Sequence, residues 1–238
     1  MARRFTNGTS DEIDFGRLSG ALDGRSALTL AAWVRLRSSS VAWTHVVCMF
    51  DGGAGFTLMH GEDGSGLYSE ITGYEAHKES VFTVDTWTHV AVRYDTSLSG
   101  DARFELFLDG AKVTGTTRYG SMPANTGTST ARLRIGGTDH ETDNRPNDDI
   151  AHVAIWRSGL SDADIAALAA GSHALLFSPY FYAPLYGGSP EPDLAGAESG
   201  SVTGTSVVDG PPVAPTLSAP NAIDIGTTVA TPKVTLTF

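Results

Sequence analysis

The feature that most constrains this 238-residue chain is its rhythm. Short runs rich in β-branched and aromatic residues are broken every few positions by Gly, Asn, Asp or Ser. Such runs occupy residues 26–37, 43–50, 55–60, 80–84, 86–94, 103–108, 131–135 and 150–156. Side chains alternate across a strand, so Leu28, Leu30, Ala32 and Val34 share one face of the first run, and Trp33 and Arg35 the other. In residues 103–108 the even-numbered apolar side chains face a core, while Arg103, Glu105 and Phe107 point away. Asp109-Gly110 follows directly, a strong two-residue hairpin signal, and Lys112-Val113-Thr114 returns as the partner strand. One helix is predicted: Ser161 is an N-cap, Asp164 completes a capping box, Ile165, Leu168 and Ala169 form the apolar stripe, and Gly171 ends it. Many spaced strands with one short helix predict an all-β, antiparallel two-sheet sandwich or jelly roll. No helical pattern separates successive strands, which excludes a βαβ fold.

Apolar residues make up 41% of the chain, enough to fill such a core and to exclude a disordered acidic tail. The formal charge of −11 argues against nucleic acid, whose phosphates need a basic face, and against an anionic membrane surface. Cys48 is the single cysteine, so no intrachain disulfide forms; among Val46, Val47 and Met49 it reads as a buried apolar residue. No apolar run follows Arg3-Arg4, so synthesis and folding in a reducing cytosol are expected. Residues 1–208 read as one domain and 209–238 as an appendage: Pro211, Pro212, Pro215 and Pro220 mark an extended linker. Beyond it Lys233-Val234-Thr235-Leu236-Thr237-Phe238 alternates like a strand. A lone strand is not stable, so Val234, Leu236 and Phe238 form a docking arm, either on the domain's own edge or on another subunit.

Several segments, in order, resemble laminin-G-like domains of the concanavalin A-like lectin/glucanase superfamily. Leu28-Thr29-Leu30-Ala31-Ala32-Trp33-Val34 resembles the family's strand with an outward tryptophan, and Trp87-Thr88-His89-Val90-Ala91-Val92-Arg93-Tyr94-Asp95 its central strand. Phe104-Glu105-Leu106-Phe107-Leu108-Asp109-Gly110 is similar to its hairpin, and Leu133-Arg134-Ile135-Gly136-Gly137 to the strand after that. Residues 150–156 and 160–165 resemble the closing strand and its helix. The family's usual opening element resembles Tyr182-Ala183-Pro184-Leu185-Tyr186-Gly187-Gly188, Asp193-Leu194-Ala195-Gly196 and Val202-Thr203-Gly204-Thr205, which here come last, as in a permuted domain. Residues 173–208 are then expected to pair beside residues 5–15. That order resembles laminin-G-like proteins of tailed bacteriophages.

The resemblance admits several chemistries. Some members are glycosidases with two carboxylates on one strand face. Glu12 and Asp14 share a face, but the further carboxylate of that signature falls on Gly16 or Arg17, so no catalytic role is assigned. No Gly-x-Ser-x-Gly elbow is present. His45 and His89 each sit in a Trp-Thr-His-Val tetrapeptide and read as packing or hydrogen-bonding residues; the tetrapeptide is too short to establish a repeat. Calcium is the best cofactor candidate, because oxygen-rich loops suit it. Asn7, Ser10 and Asp11 form one candidate loop; Asp139, Glu141, Asp143, Asn144, Asn147, Asp148 and Asp149 form the other. Neither has EF-hand spacing, and both also read as ordinary solvated loops. Trp33, Trp43, Tyr68, Tyr74 and Tyr119 are the aromatic candidates for a glycan platform.

The reading is a non-enzymatic virion protein of a tailed bacteriophage. It would be a capsid decoration or fibre-like protein that displays a laminin-G-like, glycan-binding domain. Its expected partners are the major capsid protein or tail components and a host surface glycan, with homo-oligomerisation left open. A tail-associated adhesin, or a glycan-binding module of a cellular surface protein, is the alternative; a glycoside hydrolase ranks last.

Overall fold

The structure, a computed structural model, describes residues 1–20, 22–38, 43–139 and 145–213. The readings made on Asp143, on Glu141 and Asn144, and on Val234, Leu236 and Phe238 lie outside the described residues. In chain order the strands are β1 (Ala2–Arg4), β2 (Glu12–Asp14), β3 (Ala27–Leu36), β4 (His45–Phe50), β5 (Gly55–His60), β6 (Leu67–Ile71), β7 (Tyr74–Lys78), β8 (Trp87–Asp95), β9 (Phe104–Leu108), β10 (Ala111–Lys112), β11 (Thr117–Tyr119), β12 (Arg134–Ile135), β13 (Asp148–Trp156), β14 (Phe181–Ala183), β15 (Glu191–Pro192), β16 (Ser199–Thr203) and β17 (Ser206–Val208). One α-helix, α1 (Asp162–Ala169), follows β13.

The strands form two antiparallel sheets, as the alternating pattern predicts. One is eight-stranded in the order β10-β9-β8-β3-β13-β1-β17, with β14 also paired to β13. The other is nine-stranded in the order β11-β7-β6-β5-β4-β12-β2-β16-β15. Between them lies the main core, where Leu28, Leu30, Ala32 and Val34 of β3 meet Leu58, Ile135 and Ile155. Each such side chain, fully buried, contributes about 1.5–3 kcal/mol. The opposite face of β3 is buried too: Ala31 joins Ala91, Phe107, Ala154 and Trp156 under Ile165 and Leu168 of the helix.

The local signals work as expected. Asp109 and Gly110 take φ of 46° and 81°, the left-handed pair of a two-residue hairpin turn. A side chain at Gly110 would also meet Ala166 Cα at 2.8 Å, so the helix packs on that turn because it is glycine. Ser161 and Asp164 form the reciprocal capping box. Some strand assignments differ, among them the edge strand β11, which no run suggests. The β6–β7 hairpin was not anticipated, because Thr72-Gly73 is an unusual turn pair. Residues 80–84 are not a strand: the Val81 and Phe82 N–H groups both donate to the Ser65 carbonyl, Phe82 is buried in the core, and Val81 packs half-buried against it.

The last described segment pairs beside the first, as the resemblance implied. Val202 of β16 lies opposite Ile13 of β2, and Val207 of β17 opposite Arg3 of β1. The buried Arg3 Nε donates to Glu191 Oε1 at 2.7 Å and ties the two ends together. Val213, beyond the expected boundary at 208, packs with Ala2, Trp33 and Ala151. No helix among the described residues is long and apolar enough to cross a membrane.

Candidate functional site

The outer face of the nine-stranded sheet carries a row of rings. Alternation sends Leu67 and Ile71 of β6, and Tyr74 and Ala76 of β7, into the core. Tyr68, Glu70, Glu75 and His77 therefore point the other way. The Thr72-Gly73 turn sets the register, placing Tyr68 opposite His77 and Glu70 opposite Glu75. Edge strand β11 then sets Thr117 opposite His77 and Tyr119 opposite Glu75. Tyr68 stacks on His77 at 5.8 Å between centroids, and His77 stacks on Tyr119 at 5.7 Å. At the other end Trp43 meets Tyr68 edge to face at 5.2 Å. Trp43 holds a left-handed backbone, φ 56°, two residues before β4 begins.

Exposure divides the row. Tyr68 is only 5% exposed, whereas Trp43 is 37% and Tyr119 57% exposed. The inner rings cover one another's faces, so the two ends offer the surface a ligand can reach. Burial raises the Tyr68 phenol's pKa, and its contact with Glu75 and the charges of Glu70 and Glu75 add to the shift. The hydroxyl therefore stays a neutral hydrogen-bonding group. His77 is half-buried, and its Nδ1 has no hydrogen-bond partner among the described residues. His77 was not singled out in the sequence, although a two-residue turn at Thr72-Gly73 would have placed it opposite Tyr68.

Two expected aromatic candidates are not platforms. Trp33 does point outward from the core, but Ala2, Ala151, Trp87, Val208 and Val213 pack around it and leave it 7% exposed. Tyr74 faces inward between the sheets, edge-on to Phe104, because it is the first residue after the turn and pairs with the core residue Ile71.

The described calcium candidates are not brought together. The Asn7 side-chain amide donates to the Arg145 carbonyl at 2.7 Å, and Asp11 Oδ2 accepts from Thr6 N–H at 3.0 Å. Asp139 accepts from Arg132 N–H and from Arg134 Nε, both at 2.7 Å. Asp148 and Asp149 are not loop residues: they open β13, fully buried, on opposite faces. Asp148 bonds His60 Nε2 at 2.7 Å between the sheets, and Asp149 is clamped by Arg4 and Arg35 on the outside. Among the described residues no group of three or more His, Cys, Asp or Glu is placed to hold a metal ion. These donors do not fit calcium, because arginines, an imidazole and backbone groups already use them.

Glu12 and Asp14 do share the outer face of β2, where arginines bracket them. Glu12 Oε1 pairs with Arg134 and Oε2 with Arg145. Asp14 Oδ2 accepts from Arg132 at 2.6 Å, and Oδ1 from Gly16 N–H at 2.8 Å. All four oxygens are engaged, which leaves none for a glycosidic bond or an attacking water. An open cleft of about 580 Å³ of mixed polar and apolar lining lies beside them, with Asp14, Phe15, Arg17, Thr130, Arg132 and Ser201 among its walls.

The described histidines outside the row are structural in placement. His45 Nδ1 bonds Thr57 Oγ1 at 2.9 Å across β4 and β5. His89 is buried edge-on to Trp33, its Nδ1 without a partner among the described residues. Burial lowers its pKa to about 4. His152 sits at a bulge in β13 with φ 52° and bonds the Tyr182 hydroxyl at 2.6 Å. Burial, then the neighbouring His173, lowers its pKa to about 3. Cys48 is buried, as expected.

A two-sheet jelly roll with a row of rings on one sheet face, exposed at its two ends, defines the class, that of the lectin-like β-sandwiches. A family model described as the concanavalin A-like lectin/glucanases superfamily, of laminin G type, matches residues 7–166, and the chain belongs to that family. No curated protein sequence matches. Among solved structures, a candidate carbohydrate-binding protein of Bacteroides ovatus superposes with a TM-score of 0.62 at 15% identity. The match covers 86% of this chain and 58% of that one, so this chain spans under two thirds of that protein. The CBM40 module of Ruminococcus gnavus IT-sialidase superposes at 0.54 and 14% identity, over 71% of this chain and 98% of the module. The same module bound to α2,3-sialyllactose superposes at 0.53 and 15% identity, with the same coverage. At these identities the likeness is one of fold.

Proposed function

We propose that this chain is a non-catalytic glycan-binding domain whose site is the aromatic row Trp43–Tyr68–His77–Tyr119. The observation that carries the reading is the pair of exposed rings, Trp43 and Tyr119, held at the two ends of the row by their ring contacts with Tyr68 and His77. Rigid aromatic surface with nearby hydrogen-bonding groups is what pyranose faces and hydroxyls require. The family membership, and the fold shared with a sialyllactose-bound CBM40, support the reading. The bracketing of Glu12 and Asp14 by arginines supports the non-catalytic part. The test is binding of the full chain to a glycan array, repeated with Trp43→Ala and Tyr119→Ala. Binding that both variants reduce at least ten-fold supports the reading. No binding, or binding indifferent to both variants, overturns it.

The setting belongs to the same proposal: a tailed-bacteriophage virion, with the domain displayed as a capsid decoration or fibre-like protein. Its support is the order of the elements. The segment from Phe181 to Val208 follows the helix and returns to pair with β1 and β2, an order that resembles phage laminin-G-like proteins. Mass spectrometry of purified particles tests it, and absence of the chain from the particle removes this setting.

A further inference from the structure

The cleft beside Asp14 opens on the same sheet face as the aromatic row. Asp14 stands opposite Arg134 of β12 on one side and Ser201 of β16 on the other. Two residues further along come Arg132, Gly16 and Ser199, which line the cleft together with Arg17. Gly16 opens its floor: at φ 71° it carries no side chain, and a Cβ there would meet nothing within 4 Å. Gly200, between the two serines, seats β16 tightly on the core, since a Cβ there would lie 2.5 Å from Ile13 Cγ2. The hydrogen-bonding capacity left in the cleft is mainly of one kind. Asp14 has both oxygens engaged, by the Gly16 N–H and by Arg132. Arg132 uses only Nη1 on that pair, so its Nε and Nη2 have no partner among the described residues. Arg17 donates Nε to the Ser129 carbonyl at 3.2 Å and lies 3.6 Å from Asp23 through Nη2, which leaves Nη1 without a partner among the described residues. Both guanidiniums are about half exposed. The Ser199 hydroxyl can turn as a further donor beside them. The fixed side-chain groups left over are therefore donors, and the charged groups lining the cleft are two guanidiniums and one carboxylate. An oxyanion accepts several such bonds at once, and charge-assisted bonds from guanidinium are the strong ones.

Resting on the reading of the aromatic row as a glycan site, we propose that this cleft is a second subsite, which takes an oxyanion substituent of the same glycan, a carboxylate or a sulfate. Arg17 and Arg132 hold the oxyanion, and Trp43 and Tyr119 stack on the sugar rings. The sheet order puts β5, β4 and β12 between β6 and β2, so the two subsites lie about 20 Å apart and suit an oligosaccharide rather than a single sugar.

The experiment is calorimetric titration of the full chain with three probes: a galacturonate hexamer, its fully methyl-esterified neutral counterpart, and a sulfated galactose hexamer. At least one of the two acidic probes is expected to bind about ten-fold tighter than the neutral ester, and the tighter of the two names the oxyanion. Arg17→Gln with Arg132→Gln is expected to erase that preference while the affinity for the neutral ester and the melting temperature stay unchanged, because both side chains stand at the surface. Trp43→Ala is expected to weaken all three probes. Equal or tighter binding of the neutral ester, reduced by Trp43→Ala, overturns the oxyanion subsite but leaves the glycan site standing. A preference for an acidic probe that survives the double glutamine variant overturns the role of the two arginines. Failure of all three probes and of a broad array to bind overturns the glycan site, and the second subsite with it.

Discussion

Acid is expected to unfold this protein from a defined place, the outer side of the eight-stranded sheet. His89 is buried against Trp33 with no partner for Nδ1 among the described residues, and its pKa falls from 6.5 to about 4. His152, at the bulge of β13, falls from 6.5 to about 3. Both folded values lie below the unfolded one. The unfolded chain therefore takes up these protons first, and the stability, full above pH 6.5, is lost as pH falls. Between pH 6.5 and about 4 each group removes roughly 1.4 kcal/mol per pH unit. At pH 5 the loss is about 2 kcal/mol from each histidine, or about 4 kcal/mol together. That is a large share of the roughly 5–15 kcal/mol typical of a domain. The assay is urea denaturation at pH 7.5, 6.5, 5.5 and 5.0, on wild type and on His89→Gln. The variant should lose the His89 share of the slope, so the two stability curves should converge by about 2 kcal/mol between pH 7.5 and 5. Curves that stay parallel would refute the assignment of the acid sensitivity to His89.

Other perturbations give separate checks. Ser161→Ala removes one half of the capping box and should cost about 1 kcal/mol, read as a lower urea midpoint at unchanged slope. Gly55→Ala places a Cβ 1.9 Å from the Met49 carbonyl oxygen at φ 105°, and should destabilise by more than about 2 kcal/mol in thermal melts. Glu191→Leu strands the buried Arg3 guanidinium and should cost about 3–5 kcal/mol, whereas Arg3→Met with Glu191→Leu should recover most of it. A double variant no better than the single one would contradict the pairing of Arg3 with Glu191.

What the sequence made legible follows a physical line. Period-two alternation in β3 and β9 and the Asp109-Gly110 turn are local, so they appear in the sequence as they appear in the fold. The capping box of α1 is equally local. Trp33 shows the boundary: its face was readable, but Val208 and Val213, which help cover it, come from nearly two hundred residues away. Asp148 and Asp149 read as loop acids because adjacent aspartates rarely enter a strand. Their burial depends on His60, Arg4 and Arg35, three partners on three other strands. His77 escaped notice for a subtler reason. Its place in the row depends on the register of β6 and β7, and a Thr-Gly turn is a weak signal for the two-residue hairpin that fixes it.

The most direct test of the account is glycan binding by the full chain and by its Tyr119→Ala variant, compared in one titration series. Tyr119 lies on an edge strand with its side chain largely in solvent, so its loss leaves the core untouched. The account predicts that wild type binds, that the variant keeps its melting temperature within about 2 °C, and that its affinity drops at least ten-fold. Unchanged affinity in a folded variant would contradict the central claim that the aromatic row is the binding site.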